Sequence, residues 1–297
     1  MAVISKNNKI ITYNHKWITC ASSDPYNPLN LPPYTIRLKY RQGITPRFRY
    51  GTGVLVDAVN NLWDLTYESD IWYNILYNHT DLLEVLGGNT TNITNMVMLF
   101  DGCTSLTTVA IFDTSNVLYM SLIFNRCTSL TSVPLFNTSN VTEFSGMFMG
   151  CTSLTSIPLY DTSSVTNMSG MFDNCVSLTS VPLFNTSNVI QMYGMFDNCT
   201  SLTSAPLFDT SKVTDMGAMF YNCTSLTSVP LYDTSEVTEI SIMLYNCINV
   251  ESGALALYQQ ASSQTNPPTY HDLTFHDCGS NTVTGAAELA QIPSDWK

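Results

Sequence analysis

Charge is scarce in this 297-residue chain: Asp, Glu, Lys and Arg together make up only 11% of it. What positive charge exists is crowded at the start. Residues 1–50 hold eight basic side chains (Lys6, Lys9, Lys16, Arg37, Lys39, Arg41, Arg47 and Arg49) against one acid, Asp24. From residue 51 onward three basic residues face 22 acidic ones. A body this acidic cannot neutralise a phosphate backbone, the main source of non-specific nucleic-acid affinity, so no nucleic-acid partner is expected.

Long apolar runs are missing as well. No stretch approaches the roughly 18 residues that a membrane-crossing helix needs, so no membrane partner is expected. The opening MAVISKNNKIITYNHKWITC has lysines but no sustained apolar core, and it does not read as a signal peptide. There is no phosphate-binding loop, nucleophile elbow or paired acid/base motif. The expectation is a protein that is not an enzyme and holds no cofactor or metal.

What is present is repetition. Hydrophobic residues make up 44% of the chain, enough for a core. CTSLTSVPLFNTSNVTEFSGMFMG at 127–150 is followed by CTSLTSIPLYDTSSVTNMSGMFDN, and cysteines stand at 103, 127, 151, 175, 199, 223 and 247, each 24 residues after the last. A fixed period of this length predicts stacked supersecondary units, none of which can bury its apolar face alone.

Within a unit, Leu154, Ile157 and Leu159 have strand spacing and are expected to point inward, as are Leu130, Val133 and Leu135, Leu178, Val181 and Leu183, and Leu226, Val229 and Leu231. Val165, Met168, Met171, Phe172 and Cys175 then fall near one face of a short helix. Each unit is thus read as a strand, a turn and about two helical turns. The cysteines, in one phase with parallel Cβ directions, are expected to form a buried ladder of free thiols.

Two files flanking the strand residues are expected to face outward: Ser132, Ser156, Ser180, Ser204 and Ser228, and Pro134, Pro158, Pro182, Pro206 and Pro230. Beside them runs an aromatic file starting at Phe112. Its members Phe136, Tyr160, Phe184, Phe208 and Tyr232 are the candidate ligand-binding residues, able to stack on glycan rings or a partner's side chains. The more ordinary alternative is that these rings stack on one another beneath the turn. The Asp/Asn file at 113, 137, 161, 185, 209 and 233 could offer oxygens to Ca²⁺, but turn chemistry is the expected role. In YHDLTFHDCGSN, His271, Asp272, His276, Asp277 and Cys278 form the one cluster with metal-like composition. A strand would send the two histidines to opposite faces, so no metal or catalytic site is expected there.

The combination of MF..C..L with DTS.V..M resembles the BspA-like leucine-rich repeats, known in this short-period form as a bacterial surface-protein repeat, over about residues 92–250. That resemblance implies a leucine-rich-repeat solenoid of parallel strands and short helices, in a family of surface and adhesion modules. The flanking segments PYTIRLKYRQGITP, LWDLTYESDIW, LLEVLGGNTTNITNM and GAAELAQIPSDW resemble proteins of crAss-like and other bacteriophages of Bacteroides-type gut hosts.

The expected organisation is a hairpin or attachment segment at 1–21, a Pro-rich linker at 22–33, a small antiparallel β module at 34–67, a helical cap at 68–91, the array at 92–250 and a C-terminal cap at 251–297. In YTIRLKYR the alternation puts Ile36, Leu38 and Tyr40 on one face. Arg37, Lys39 and Arg41 lie on the other and, with Arg47 and Arg49, form one cationic face for partner docking. The resulting expectation is a virion surface protein, a head or tail fibre or decoration. Its N-terminal module would contact other virion proteins, and its array would engage host or mucosal glycans or proteins, with homo-oligomerisation compatible. The alternatives are a bacterial cell-surface adhesin and a spacer that binds nothing.

Overall fold

The computed structural model describes residues 11–13, 16–18 and 29–297. Strands β1 (Ile11–Tyr13) and β2 (Lys16–Ile18) pair antiparallel, with Ile11 opposite Ile18. The expected linker lies, up to residue 28, outside the described residues.

A five-stranded sheet follows, built from β3 (Thr35–Tyr40), β4 (Thr52–Asp57), β5 (Leu62–Thr66), β6 (Leu82–Asn89) and β7 (Thr108–Val109) in the order β4-β5-β3-β6-β7. The pairings are antiparallel except β6 with β7, where the sheet passes into the array. The period-two pattern of β3 buries Ile36, Leu38 and Tyr40 against Leu65, Trp72 and Leu82. β6 replaces part of the helical cap expected at 68–91. Its apolar run is too short for a stable helix and ends in Gly87-Gly88, which disfavours one, while β3 offers it an open edge.

Nor do the repeat units contain the expected helices. Residues 167–175 run as successive tight turns, with Met171, Asp173 and Cys175 N–H donating three residues back to Met168, Gly170 and Phe172 carbonyls. The alternate N–H groups, of Met168, Gly170, Phe172 and Asn174, donate instead to Gln191, Tyr193, Met195 and Asp197 in the next rung. Gly170 and Asn174 take positive φ, 60° and 58°, and a left-handed residue every fourth position stops an α-helix from propagating. The true helices are α1 (Ala254–Ser262) and α2 (Val283–Gln291), in the C-terminal region; α2 is capped by Thr282, whose hydroxyl accepts from Gly285 N–H at 2.9 Å.

Parallel bridges tie Ile71, Asn95, Tyr119, Glu143, Asn167, Gln191, Asp215 and Glu239 in steps of 24 residues, then Glu239 to Tyr270. The stack therefore extends beyond residues 92–250. Residues 71–79 form its first rung and 270–278 its last, the latter reached by a longer step that contains α1.

The strand half is also thinner than expected. Apart from β7, the units make only a Ser228–Ser252 bridge there. Proline at 134, 158, 182, 206 and 230 supplies no N–H for a ladder. It also shifts the inward phase. Leu154 and Ile157 are buried as expected, but the next inward residue is Tyr160, three positions on, and Leu159 faces solvent.

Candidate interaction surface

The core of the array explains which side chains are left outside. Phe100, Phe124, Phe148, Phe172, Phe196 and Phe220 form one column with successive ring centroids 5.4–5.8 Å apart and nearly parallel planes. A second column locks against it: Phe124 with Phe136, Phe148 with Tyr160, Phe172 with Phe184, Phe196 with Phe208 and Phe220 with Tyr232, at 6.2–6.5 Å. The candidate ligand stripe Phe136, Tyr160, Phe184, Phe208 and Tyr232 is thus buried, at most 3% exposed, and offers no face to a glycan. Its large rings fill space between rungs that leucine cannot. The Tyr160 and Tyr232 hydroxyls donate to Pro134 and Pro206 carbonyls of the preceding rung, both at 3.0 Å, and burial raises both phenols well above their ordinary range.

The leucines take the place assigned to the rings. Leu135, Leu159, Leu183, Leu207 and Leu231 stand one per rung, each between 53% and 61% exposed, beside half-buried prolines and the exposed serines of the Ser132 file. Exposure alternates along the stretch from leucine to serine, so the residue two further on shares the leucine's exposed side: Leu159 and Asp161 are exposed while Tyr160 and Thr162 are buried.

That second residue is the Asp/Asn file, and its chemistry is that of a turn. Asp113, Asn137, Asp161, Asn185, Asp209 and Asp233 each accept, through Oδ1, the N–H of the serine two positions on, at 2.9–3.2 Å. Ser163 and Ser211 hydroxyls add bonds of 2.7 Å, and these serines hold the Asp161 and Asp209 carboxyls below the usual carboxylate range. The buried threonine that follows ties this turn to its neighbour: Thr138, Thr162, Thr186 and Thr210 hydroxyls donate to Asp161, Asn185, Asp209 and Asp233 carbonyls at 2.7–2.8 Å.

The cysteines at 103, 127, 151, 175, 199, 223, 247 and 278 are free and buried. The first seven donate to the carbonyl 27 residues earlier; Cys175 Sγ, for instance, lies 3.1 Å from Phe148 O. His271 stacks on Trp296 with ring centroids 4.2 Å apart, and His276 stacks on Tyr245 at 4.7 Å. They are separated because residues 270–278 form a rung, with left-handed Leu273 and Asp277, and not the strand assumed from sequence. Among the described residues no three His, Cys, Asp or Glu side chains gather as a metal-binding group.

The expected cationic face is largely neutralised by neighbouring strands. Arg37 makes a two-pronged pair with Asp64 at 2.7 and 2.8 Å, Lys39 meets Glu84 at 2.6 Å, and Arg41 lies 3.3 Å from Asp81. Arg47 and Arg49 remain exposed, the latter guanidinium 5.3 Å from the Tyr50 ring centre. The leucine row was missed because stepping by two from Ile157 crosses Pro158 and lands on Leu159. The available signals were the proline itself and a larger apolar residue immediately after the leucine.

A family model described as "Mycoplasma protein of unknown function, DUF285" matches residues 74–178 and 155–256, together more than half of the chain. No curated protein matches it. Among solved structures, one titled as the crystal structure of T. pallidum leucine rich repeat protein (TpLRR) is similar, with 21% identity and a TM-score of 0.37 over 52% of this chain and 69% of that one.

Proposed function

From a chain that belongs to the DUF285 family, we propose a protein-binding role at the surface of a bacteriophage particle, with the leucine row as the binding face. The array is a leucine-rich-repeat solenoid of 24-residue period, of the BspA-like kind, and the N-terminal β module joins it to other virion proteins. The observation that carries the binding role is the alignment of Leu135, Leu159, Leu183, Leu207 and Leu231, all more than half exposed, on consecutive rungs. Contiguous apolar surface of this kind marks interaction sites, whereas scattered single leucines do not. The flanking segments' likeness to bacteriophage proteins supports the particle setting.

A protein partner fits better than a glycan, because the rings that would stack on sugars are interior. Magnitudes fix the style of binding. Covering the exposed half of each leucine contributes about 1 kcal/mol, so five give about 5 kcal/mol. Association costs about that much or more in lost freedom. One array therefore holds its partner weakly, and display of many copies on one particle raises the effective affinity.

The test is the combined substitution Leu159→Ser, Leu183→Ser and Leu207→Ser in particles or purified protein, with circular dichroism to verify the fold. Loss of host-cell binding is the expected result. Binding that persists with an intact fold overturns the assignment of this face, and absence of the protein from the mass spectrum of purified particles overturns the particle setting.

A further inference from the structure

We infer that the partner of the leucine row is an extended polypeptide segment carrying Lys or Arg among its apolar residues. This rests on the leucine row being a protein-binding face, and adds what that face selects. Leu159 and Asp161 are both exposed with buried Tyr160 between them, two residues and so at most about 7 Å apart along the chain. The apolar row is thereby bordered along its length by the file Asp113, Asn137, Asp161, Asn185, Asp209, Asp233.

Three features make that border a cation selector. First, the carboxylates are pre-set. In Asp161 and Asp209, Oδ1 is held by both the N–H and the hydroxyl of the serine two on, while Oδ2 makes no hydrogen bond among the described residues. An incoming cation meets an oxygen that need not reorganise. Second, they are spaced. Asp113, Asp161 and Asp209 occupy alternate rungs, roughly 10 Å apart at about 4.8 Å per rung, close to the screening length of physiological salt. Serine bonds hold the Asp161 and Asp209 carboxyls low, with Lys212 adding to the effect at Asp209. Third, opposing charge is sparse. Residues 92–250 contain eleven acids and only Arg126 and Lys212 as bases. Arg126 is paired with Asp101; Lys212, bonded to Asn188 Oδ1 at 2.8 Å, also lies near enough to Asp209 to add to the lowering of its carboxyl.

The same features disfavour a second copy in this place. Two leucine rows packed face to face would bring their bordering carboxylates together in a less aqueous setting, where like charges repel most strongly. An extended segment with alternating side chains can instead lay one set on the leucines and reach the carboxylates with the other.

The experiment uses the full chain and a fluorescent peptide of alternating Val and Lys, with its Val–Glu counterpart, followed by anisotropy at low and high salt. The informative variant is Asp161→Asn with Asp209→Asn and Asp233→Asn. Asn137 and Asn185 already make the same turn in sister rungs, so the variant folds. The Val–Lys peptide is expected to bind at least about tenfold more tightly than Val–Glu at low salt, a difference of about 1.4 kcal/mol. The Asn variant should erase that preference, and the triple leucine variant should weaken both peptides. Equal binding of the two peptides, binding of neither, or a preference that survives in the Asn variant overturns the inference. So does leucine-dependent self-association in sedimentation, which would place a second copy on the row. If leucine substitution abolishes host-cell binding while the peptides show no charge preference, the binding face stands and only its selectivity falls.

Discussion

The Thr162 hydroxyl donates to the Asn185 carbonyl of the following rung at 2.8 Å, with the threonine only 1% exposed. The bond satisfies a carbonyl that no strand ladder serves. Thr162→Val keeps the shape and removes the donor, so a loss of about 1–3 kcal/mol is expected. Thr162→Ser keeps the hydroxyl and should cost less. Urea unfolding of the two variants side by side measures this, and equal losses would assign the effect to packing alone.

The thiol ladder should be chemically silent. Burial raises every described cysteine well above its ordinary range, Cys278 to about 12, and the thiolate is the reactive form. Native protein treated with iodoacetamide should gain at most one adduct by intact mass, at Cys20, which lies outside the described residues, and nine after denaturation, matching the nine cysteines of the chain. Two or more native adducts would contradict the buried ladder. The structure also gives Cys175 a carbonyl partner, so Cys175→Ser does not strand its hydroxyl.

Left-handed backbone sets the cost of substitutions at equivalent positions. Gly194 has φ 57°, and a Cβ there would find ordinary contacts only; Ala218 has φ 54° one rung later. Gly194→Ala should destabilise and Ala218→Gly should stabilise, each by about 1 kcal/mol. Ile242, β-branched at φ 51°, should gain more than Ala218 from replacement by Gly. Hydrogen exchange of the affected rungs reads these changes locally, and a destabilising Ala218→Gly would reject the strain.

Stability should peak on the mildly acid side. Burial first, and the Asp173 carboxylate second, lift Asp197 from 3.8 to about 6. A carboxyl whose folded pKa is raised contributes stability below its unfolded pKa, and that contribution is lost as pH rises through about 6. Asp161 and Asp209, shifted downward by their serines, lose theirs as pH falls below about 4. Asp197→Asn should therefore raise Tm above about pH 7 and leave it little changed near pH 4. A gain of equal size at both pH values would point to another cause.

The repeat, the thiol file and the β3 alternation were legible because each depends on spacing within one short stretch. The inward phase was not, since it hinges on whether Leu159 or Tyr160 follows Ile157, and inter-rung ring stacking decides that. Helical periodicity at Val165–Cys175 misled for a related reason: Gly170 and Asn174 reset the backbone, and periodicity does not register handedness. The end rungs were hidden by substitution. Asn74-Ile75-Leu76-Tyr77-Asn78-His79 matches Ile242-Met243-Leu244-Tyr245-Asn246-Cys247, but His79 stands where the cysteine does and bonds to the Tyr40 hydroxyl. The neutralised cationic face was out of reach, because Asp64, Glu84 and Asp81 come from neighbouring elements.

The bonding between rungs has a mechanical side. Tension along the stack loads several main-chain bonds of each junction in parallel, assisted in the central rungs by a thiol and a threonine hydroxyl that cross the same gap. At the final junction Ile240, Ile242, Leu244 and Asn246 still reach Tyr270, Asp272, Thr274 and His276. Among the described residues Cys278 makes no such thiol bond, and the Thr234 hydroxyl is engaged by Gln264. In their place the Thr274 hydroxyl donates to Ile240 O, and Gly279 and Asn281 N–H donate to Cys247 and Ile248 carbonyls. A pulled array thus meets bonds of the same kind at its C-terminal rung as in its leucine-bearing middle and spreads the load along the stack.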